Sequence, residues 1–108
     1  MNVIILPEAE RHLHSVFDYY AIKSESVASN IFNDILDAIE GLKQFPEKAA
    51  KEPLLDGFVV VFRSLVVRKH YKIIYFINYD METVFVVAIW DCRQNPNNME
   101  KFVENSII

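Results

Sequence analysis

The sequence contains a single cysteine, Cys92, and only two glycines and four prolines among its 108 residues. One cysteine cannot form a disulfide within the chain, which suits a reducing compartment, and we expect a cytoplasmic protein. So few glycines and prolines argue against a long flexible linker, and 52% hydrophobic residues exclude a disordered chain. We therefore expect one domain over residues 1–108, large enough for a single hydrophobic core.

Long apolar runs and cofactor motifs are also absent from the sequence. The run Val3–Leu6 is stopped by Pro7, which makes it too short for a signal peptide or a membrane span. There is no glycine-rich phosphate loop, paired-cysteine metal motif or serine-nucleophile elbow. His12 and His14 point about 200° apart on a helix, so they cannot share a metal ion. We expect no metal, no cofactor and no membrane partner.

Acidic residues are missing between Gly57 and Tyr79, a segment called here the basic strip. The strip holds four basic residues although the whole chain has a formal net charge of −4. A positive strip on an acidic protein is where an anionic partner is expected to bind. The alternative is that lysines and arginines only keep the sheet soluble and protect its edges. The candidates for phosphate or RNA contact are Arg63, Arg68, Lys69 and Lys72, with Arg93 beyond the strip.

The first half of the chain has helical periodicity after a short strand at Val3–Leu6. A helix is predicted from Glu8, because apolar residues recur at spacings of three and four up to Tyr20. Ser24 or Ser26 can cap a second, longer helix that stops at Phe45-Pro46, since the residue before proline resists helical geometry. The short link between them predicts an antiparallel helical hairpin.

The second half changes to strand patterning after a loop at Pro46–Gly57. Strands are predicted at Phe58–Arg68, Tyr71–Tyr79 and Val84–Asp91, with a polar turn at Asn78–Thr83 joining the last two. The expected fold class is α+β in the order β-α-α-β-β-β. It consists of a short N-terminal strand, an antiparallel helical hairpin and a three-stranded antiparallel meander, with the hairpin on one face of an antiparallel sheet.

These strands are apolar on both faces, although two helices can cover only one of them. The second face could be covered by a second copy in a homodimer, or by the C-terminal segment Asn97–Ile108 folding back. A dedicated protein partner is the third alternative, and the sequence leaves all three open.

His70 lies inside the basic strip at a strand junction. An imidazole titrates near neutral pH and can act as a general acid or base, although a histidine in a turn without a role is the simpler reading. Arginine offers phosphate a bidentate fork, lysine a point charge, and both can stabilise charge on a phosphate during RNA cleavage.

Four segments together resemble the RelE/ParE superfamily of bacterial type II toxin–antitoxin toxins: Leu42–Pro46, Phe62–Val67, His70–Tyr75 and Trp90–Pro96. The resemblance covers essentially the whole chain. It implies a growth-inhibiting toxin with a role in plasmid stabilization. It also implies a cognate antitoxin whose flexible segment wraps the toxin and neutralises it in a hetero-oligomer.

The resemblance implies two different activities. Some members are endoribonucleases that cut messenger RNA on the ribosome, and their basic catalytic positions fall at Lys72 and Arg93, with Arg68, Lys69 and His70 nearby. Other members poison DNA gyrase and cleave no RNA. This chain departs from the nuclease pattern, because its sequence pI is about 5.3 and residues 95–108 contain no tyrosine or histidine. His70 would then have to serve as the acid or base. A degenerate member that only binds its antitoxin is the third hypothesis.

Overall fold

A computed structural model describes residues 1–107. The elements in chain order are β1 (Asn2–Ile5), α1 (Pro7–Ala21), α2 (Glu25–Gly41), β2 (Phe62–Val67), β3 (Tyr71–Asn78), β4 (Thr83–Asp91) and α3 (Asn97–Ile107), with a short 3-10 turn at Pro53–Leu55 before β2. The predicted α+β class and the order of its first six elements are confirmed. The C-terminal segment forms a further helix, and Ile108 lies outside the described residues.

The two helices of the hairpin begin at residues suited to helix starts. Pro7 occupies the first turn of α1, where its missing N–H breaks no hydrogen bond. Ser24 caps α2, because its Oγ accepts a hydrogen bond from the Val27 N–H at 3.2 Å. Apolar residues at helical spacing are then buried along one face of α2: Ala28, Ile31, Ile35 and Ile39. The three isoleucines belong to the core that the hairpin shares with the sheet.

The sheet has the strand order β1-β4-β3-β2. The predicted meander is confirmed, since β2 pairs antiparallel with β3 and β3 antiparallel with β4. The expectation of a wholly antiparallel sheet is wrong for β1, which runs parallel to β4 with Val3 opposite Val84. β1 therefore lies at the edge of the sheet beside the last strand and not beside the next strand along the chain.

The strand predicted from Phe58 starts four residues later, at Phe62. Residues 57–61 form no backbone hydrogen bond within the described chain, and the backbone bends over residues 58–60. The preceding loop pairs with the start of β2 instead, since the Glu52 N–H donates to the Phe62 carbonyl at 2.8 Å. The apolar side chains of this stretch favour a strand, but no neighbouring strand is there for it to pair with.

A β-bulge in β4 decides which side chains share a face. Tyr75 lies opposite Val86 and Ile74 opposite Ala88, so Val87 is an extra residue. A bulge interrupts the alternation of side chains along a strand. Val86 therefore packs on the helix side, Val87 and Ala88 both pack on the other side, and the residues after them are shifted by one position. β4 is apolar on both faces because each face packs into a core of its own.

The face of the sheet opposite the helical hairpin has its own core. Met99 and Val103 of α3 are buried there against Ile74 and Trp90, together with Leu55 from the 3-10 turn. Of the three explanations for an apolar second face, the folded-back C-terminal segment is the one that the chain itself provides. Across residues 1–107, no helix is long and apolar enough to cross a membrane.

Candidate functional site

The β2–β3 turn and the end of β4 meet at one end of the sheet. The Cys92 N–H donates to the His70 carbonyl at 2.7 Å, and Tyr71 lies opposite Asp91. His70 and Arg93 therefore share this end. Lys72 follows Tyr71 along β3 and points to the opposite face, since successive strand residues alternate.

The Arg93 guanidinium is held in a fixed position by Asp91. Its Nε and Nη2 atoms each donate to a carboxylate oxygen of Asp91 at 2.9 Å, and the Arg93 backbone N–H donates to the same carboxylate. These bonds from Arg93 outweigh partial burial and hold the pKa of Asp91 below its usual value. Asp91 therefore fixes the orientation of the guanidinium, while the Arg93 side chain stays 48% exposed.

Arg93 also reaches a pair of tyrosines. Its Nη2 lies 3.4 Å from the Tyr71 hydroxyl, and its guanidinium carbon is 5.9 Å from the centre of the Tyr71 ring. The Tyr71 hydroxyl donates to the Tyr20 hydroxyl of α1 at 3.2 Å. Burial and then this hydrogen bond raise the pKa of Tyr71. Tyr71 is therefore a protonated donor at neutral pH, unsuited to act as a base.

A groove of about 650 Å³ opens beside Arg93, between α1, the end of β4 and α3. We call it the Arg93 groove. Its walls are largely aromatic, and its charged side chains are Asp91, Arg93 and Lys101. The other residues used below are His12, Tyr19, Tyr71, Trp90 and Phe102. A cavity of this volume is large enough to hold a small ligand or a few side chains of a partner.

His12 closes the free edge of β4 at the floor of this groove. The Ile89 N–H donates to its Nδ1 at 3.2 Å, and its ring centre lies 5.1 Å from that of Phe102. Burial and the nearby Arg11 charge lower the pKa of His12. The ring is therefore neutral, with its proton on Nε2, because Nδ1 serves as the acceptor.

Lys72 forms an ion pair with Glu52 on the opposite face of the sheet. The Glu52 side chain is fully buried and that of Lys72 is 25% exposed. Glu52 also accepts a hydrogen bond from the Leu54 N–H at 3.0 Å. Burial acts to raise the pKa of Glu52, but the bonds from Lys72 and Leu54 outweigh it and lower the pKa. This pair fastens the loop before β2 to β3.

The other predicted contact residues are spread over the β2–β3 region. Arg63 is half-buried on the helix side, and its Nη1 donates to the Ala49 carbonyl at 2.7 Å. Arg68 forms an ion pair with Asp34 of α2 at 2.6 Å. Lys69 and His70 are exposed in the turn and form no ion pair within residues 1–107. The structure thus brings Arg68, Lys69, His70 and Arg93 to one end and separates them from Arg63 and Lys72.

Sequence reasoning missed the acidic partners and the tyrosine pair. Asp91 stands two positions before Arg93, a spacing visible in the sequence, whereas Glu52 is twenty positions from Lys72 and left no signal. Cys92 is exposed, and partial burial of its thiol raises its pKa, which does not favour a nucleophile. Among the described residues, no three histidine, cysteine or acidic side chains lie together as metal ligands.

Comparison with known proteins places this fold in context. A family model described as "ParE toxin of type II toxin-antitoxin system, parDE" matches residues 3–96. A chain of the solved structure "Chromosomal ParDE TA system from P. aeruginosa" has a similar fold, with a TM-score of 0.69 and 16% sequence identity over 84% of this chain and 95% of that chain. No curated protein matches the sequence. The α3 wall of the Arg93 groove lies beyond the family match.

Proposed function

This chain belongs to the ParE toxin family of type II toxin–antitoxin systems, and we propose that it arrests growth by binding a protein target without cleaving RNA. DNA gyrase is the target that the resemblance to the gyrase-poisoning branch implies. A cognate antitoxin encoded beside it neutralises the toxin by wrapping it. A cytoplasmic location and a contribution to plasmid stabilization follow from this function and form part of the proposal.

The basic residues predicted to contact RNA mostly have partners within the protein, which supports binding over cleavage. Lys72 and Arg68 pair with Glu52 and Asp34, and Arg63 donates to a backbone carbonyl. A nuclease needs cations that are free to stabilise the charge that builds on the phosphate. The Lys72–Glu52 pair carries this argument furthest, since removing Lys72 from the buried carboxylate would leave a charge uncompensated.

A reconstituted supercoiling assay tests this function. Purified toxin added to gyrase and relaxed plasmid is expected to inhibit supercoiling, and addition of the neighbouring antitoxin is expected to restore it. The toxin unfolded by heat serves as the negative control. Normal supercoiling at a toxin concentration above that of gyrase contradicts the choice of target, and harmless overexpression of folded toxin favours the degenerate alternative.

Ribosome-dependent cleavage of messenger RNA is the second candidate, because His70, Lys69 and Arg93 lie at the same end of the sheet. In that proposal His70 moves protons, Arg93 and Lys72 stabilise the phosphate, and Arg63, Arg68 and Lys69 contact RNA. Lys69 and His70 are exposed in the turn, which is the observation that favours it. His70→Ala is then expected to abolish growth arrest, whereas a toxin that acts by binding in the Arg93 groove retains it.

A further inference from the structure

The Arg93 groove is rich in unused hydrogen-bond donors. Arg93 donates from Nε and Nη2 to Asp91 and Tyr71 and lies close to Tyr20, and none of these assigned bonds uses Nη1. Lys101 of α3 forms no ion pair within residues 1–107. His12 accepts through Nδ1, so its Nε2 carries a proton that can be donated.

Carboxylates are scarce in the same groove. The one carboxylate, Asp91, is already occupied by three bonds from Arg93. Counted over Arg93, Lys101 and Asp91, with His12 neutral, the groove carries a formal charge of about +1 within a chain of net charge −4. A donor-rich, positive groove is complementary to a carboxylate.

The walls of the groove suit a flat apolar side chain. Tyr71 and Trp90 are nearly buried at its floor, Phe102 lies beside Trp90 with ring centres 6.3 Å apart, and Tyr19 stands at the rim with 65% of its surface exposed. Aromatic rings packed in offset or edge contacts add to the free energy gained by burial. An exposed tyrosine at the edge of such a groove is typical of a contact residue at a protein interface.

We propose that the Arg93 groove binds a segment of the toxin's protein target in which an aromatic side chain stands next to a carboxylate. The carboxylate pairs with Arg93 Nη1 and Lys101, and the aromatic ring packs between Tyr19 and Phe102. This inference rests on the proposed function, since only a toxin that acts by binding needs a surface for a protein target. The groove is a preformed concavity, and its α3 wall is not part of the family match.

Trp90 permits a direct test of the ligand class, because it is the single tryptophan of the chain and lines the groove. A short synthetic peptide of alternating glutamate and phenylalanine is titrated into the full chain, with a matched peptide of lysine and phenylalanine as control. The acidic peptide is expected to change Trp90 fluorescence in a saturable way, and Lys101→Glu to weaken it by about tenfold. An equal response to both peptides, or to neither, overturns the inference.

Growth assays identify the source of the segment. Lys101→Glu and Tyr19→Ala are expected to reduce growth arrest while the purified variants still bind antitoxin with unchanged affinity. Lys48→Glu makes the same charge change on an exposed loop, and Phe45→Ala removes an aromatic ring that is 60% exposed elsewhere. Both control variants are expected to stay as toxic as the wild type.

Two outcomes overturn the choice of occupant. In one, the groove variants stay toxic but escape neutralisation, which assigns the groove to the antitoxin. In the other, the groove variants keep both full toxicity and neutralisation by the antitoxin. A wild-type chain that does not arrest growth overturns the proposed function instead, and the fluorescence titration then still decides whether the groove selects acidic peptides, so the two failures are distinguishable.

Discussion

Two cation–carboxylate pairs lie on opposite faces of the sheet, and they differ in burial. Lys72 pairs with Glu52, whose side chain is fully buried beneath the loop before β2. Arg93 pairs with Asp91 at the surface, where the two side chains are 48% and 30% exposed. A buried pair is costly to break, whereas an exposed pair contributes little to stability. We conclude that Lys72–Glu52 holds the fold, while Arg93–Asp91 shapes a surface that can bind.

The largest expected effect comes from Lys72→Met, which leaves the Glu52 carboxylate buried without a cation. We expect the free energy of unfolding to fall by roughly 2–3 kcal/mol, measured by urea denaturation. The double variant Lys72→Met with Glu52→Gln removes both charges and keeps an acceptor for the Leu54 N–H, so it should recover most of that loss. If Lys72→Met alone proves as stable as the wild type, the ion pair does not hold the loop in place.

Acid should lower the free energy of unfolding in two separate pH ranges, one set by His12 and the other by Glu52. The folded-state pKa of His12 is lowered, so its contribution is complete above 6.5 and is lost as the pH falls from 6.5 through the folded pKa. The folded-state pKa of Glu52 is also lowered, so its contribution is lost only below about 4.5.

Unfolding free energies measured across this pH range check the assignment. His12→Asn offers an acceptor to the Ile89 N–H without titrating. This variant should therefore lack the loss of stability that begins as the pH falls below 6.5, called here the upper phase. The double variant Lys72→Met with Glu52→Gln should reduce the loss of stability below about pH 4.5, because its residue 52 no longer titrates. His14→Asn, at an exposed position of the same helix, is the matched control and should follow the wild type. An upper phase that persists in His12→Asn would assign it to another group.

Tyr71→Phe should have an intermediate effect. The variant loses the hydroxyl that joins Tyr20 to Arg93 and leaves the packing of the ring in place. We expect a loss of about 1 kcal/mol in the free energy of unfolding. Tyr79→Phe, at a hydroxyl on the exposed β3–β4 side, should change it by less than about 0.5 kcal/mol. Equal losses in the two variants would argue against a special role for the buried hydroxyl.

Lys69→Gly should stabilise the protein slightly. Lys69 has φ +67° and its neighbour Arg68 φ +52°, a left-handed geometry that glycine adopts without steric cost. We expect a gain of roughly 0.5–1 kcal/mol, read from the urea midpoint, with toxicity unchanged. Loss of toxicity in a stabilised variant would favour RNA contact at this turn.

Arg93→Gln should have the smallest effect on stability and a large one on function. Because the pair with Asp91 is exposed, we expect less than about 0.5 kcal/mol of destabilisation. Growth arrest should nevertheless be strongly reduced, since the groove loses its oriented donor. Full toxicity in a folded Arg93→Gln variant would remove Arg93 from the binding surface.

Much of the fold could be predicted from the sequence because burial follows local periodicity. Ile31, Ile35 and Ile39 recur at helical spacing and lie buried on one face of α2, as the pattern predicts. The parallel pairing of β1 could not be predicted, because Val3–Leu6 is apolar in whichever direction it pairs. The unpaired stretch before Phe62 was missed for a similar reason, since strand propensity does not guarantee a neighbouring strand.

The candidate site was harder to predict, and the bulge at Val87 is the main cause. Val86, Val87 and Ala88 are all apolar, so the sequence gives no sign of where the extra residue lies. Its presence turns Asp91 toward Tyr71 and away from Lys72, which separates Lys72 from Arg93. The acidic partner of Lys72 was equally hidden, because a contact between a loop and a distant strand has no local signature.

Mapping of RNA 5′ ends in growth-arrested cells tests the central claim most directly. Wild-type toxin is induced without antitoxin, and transcripts are compared with those of uninduced cells and of cells expressing Arg93→Gln at the same level. A toxin that acts by binding a protein should stop growth and leave messenger RNA without new 5′ ends. New ends within translated regions that appear with the wild type and vanish with His70→Ala would contradict the account and establish cleavage.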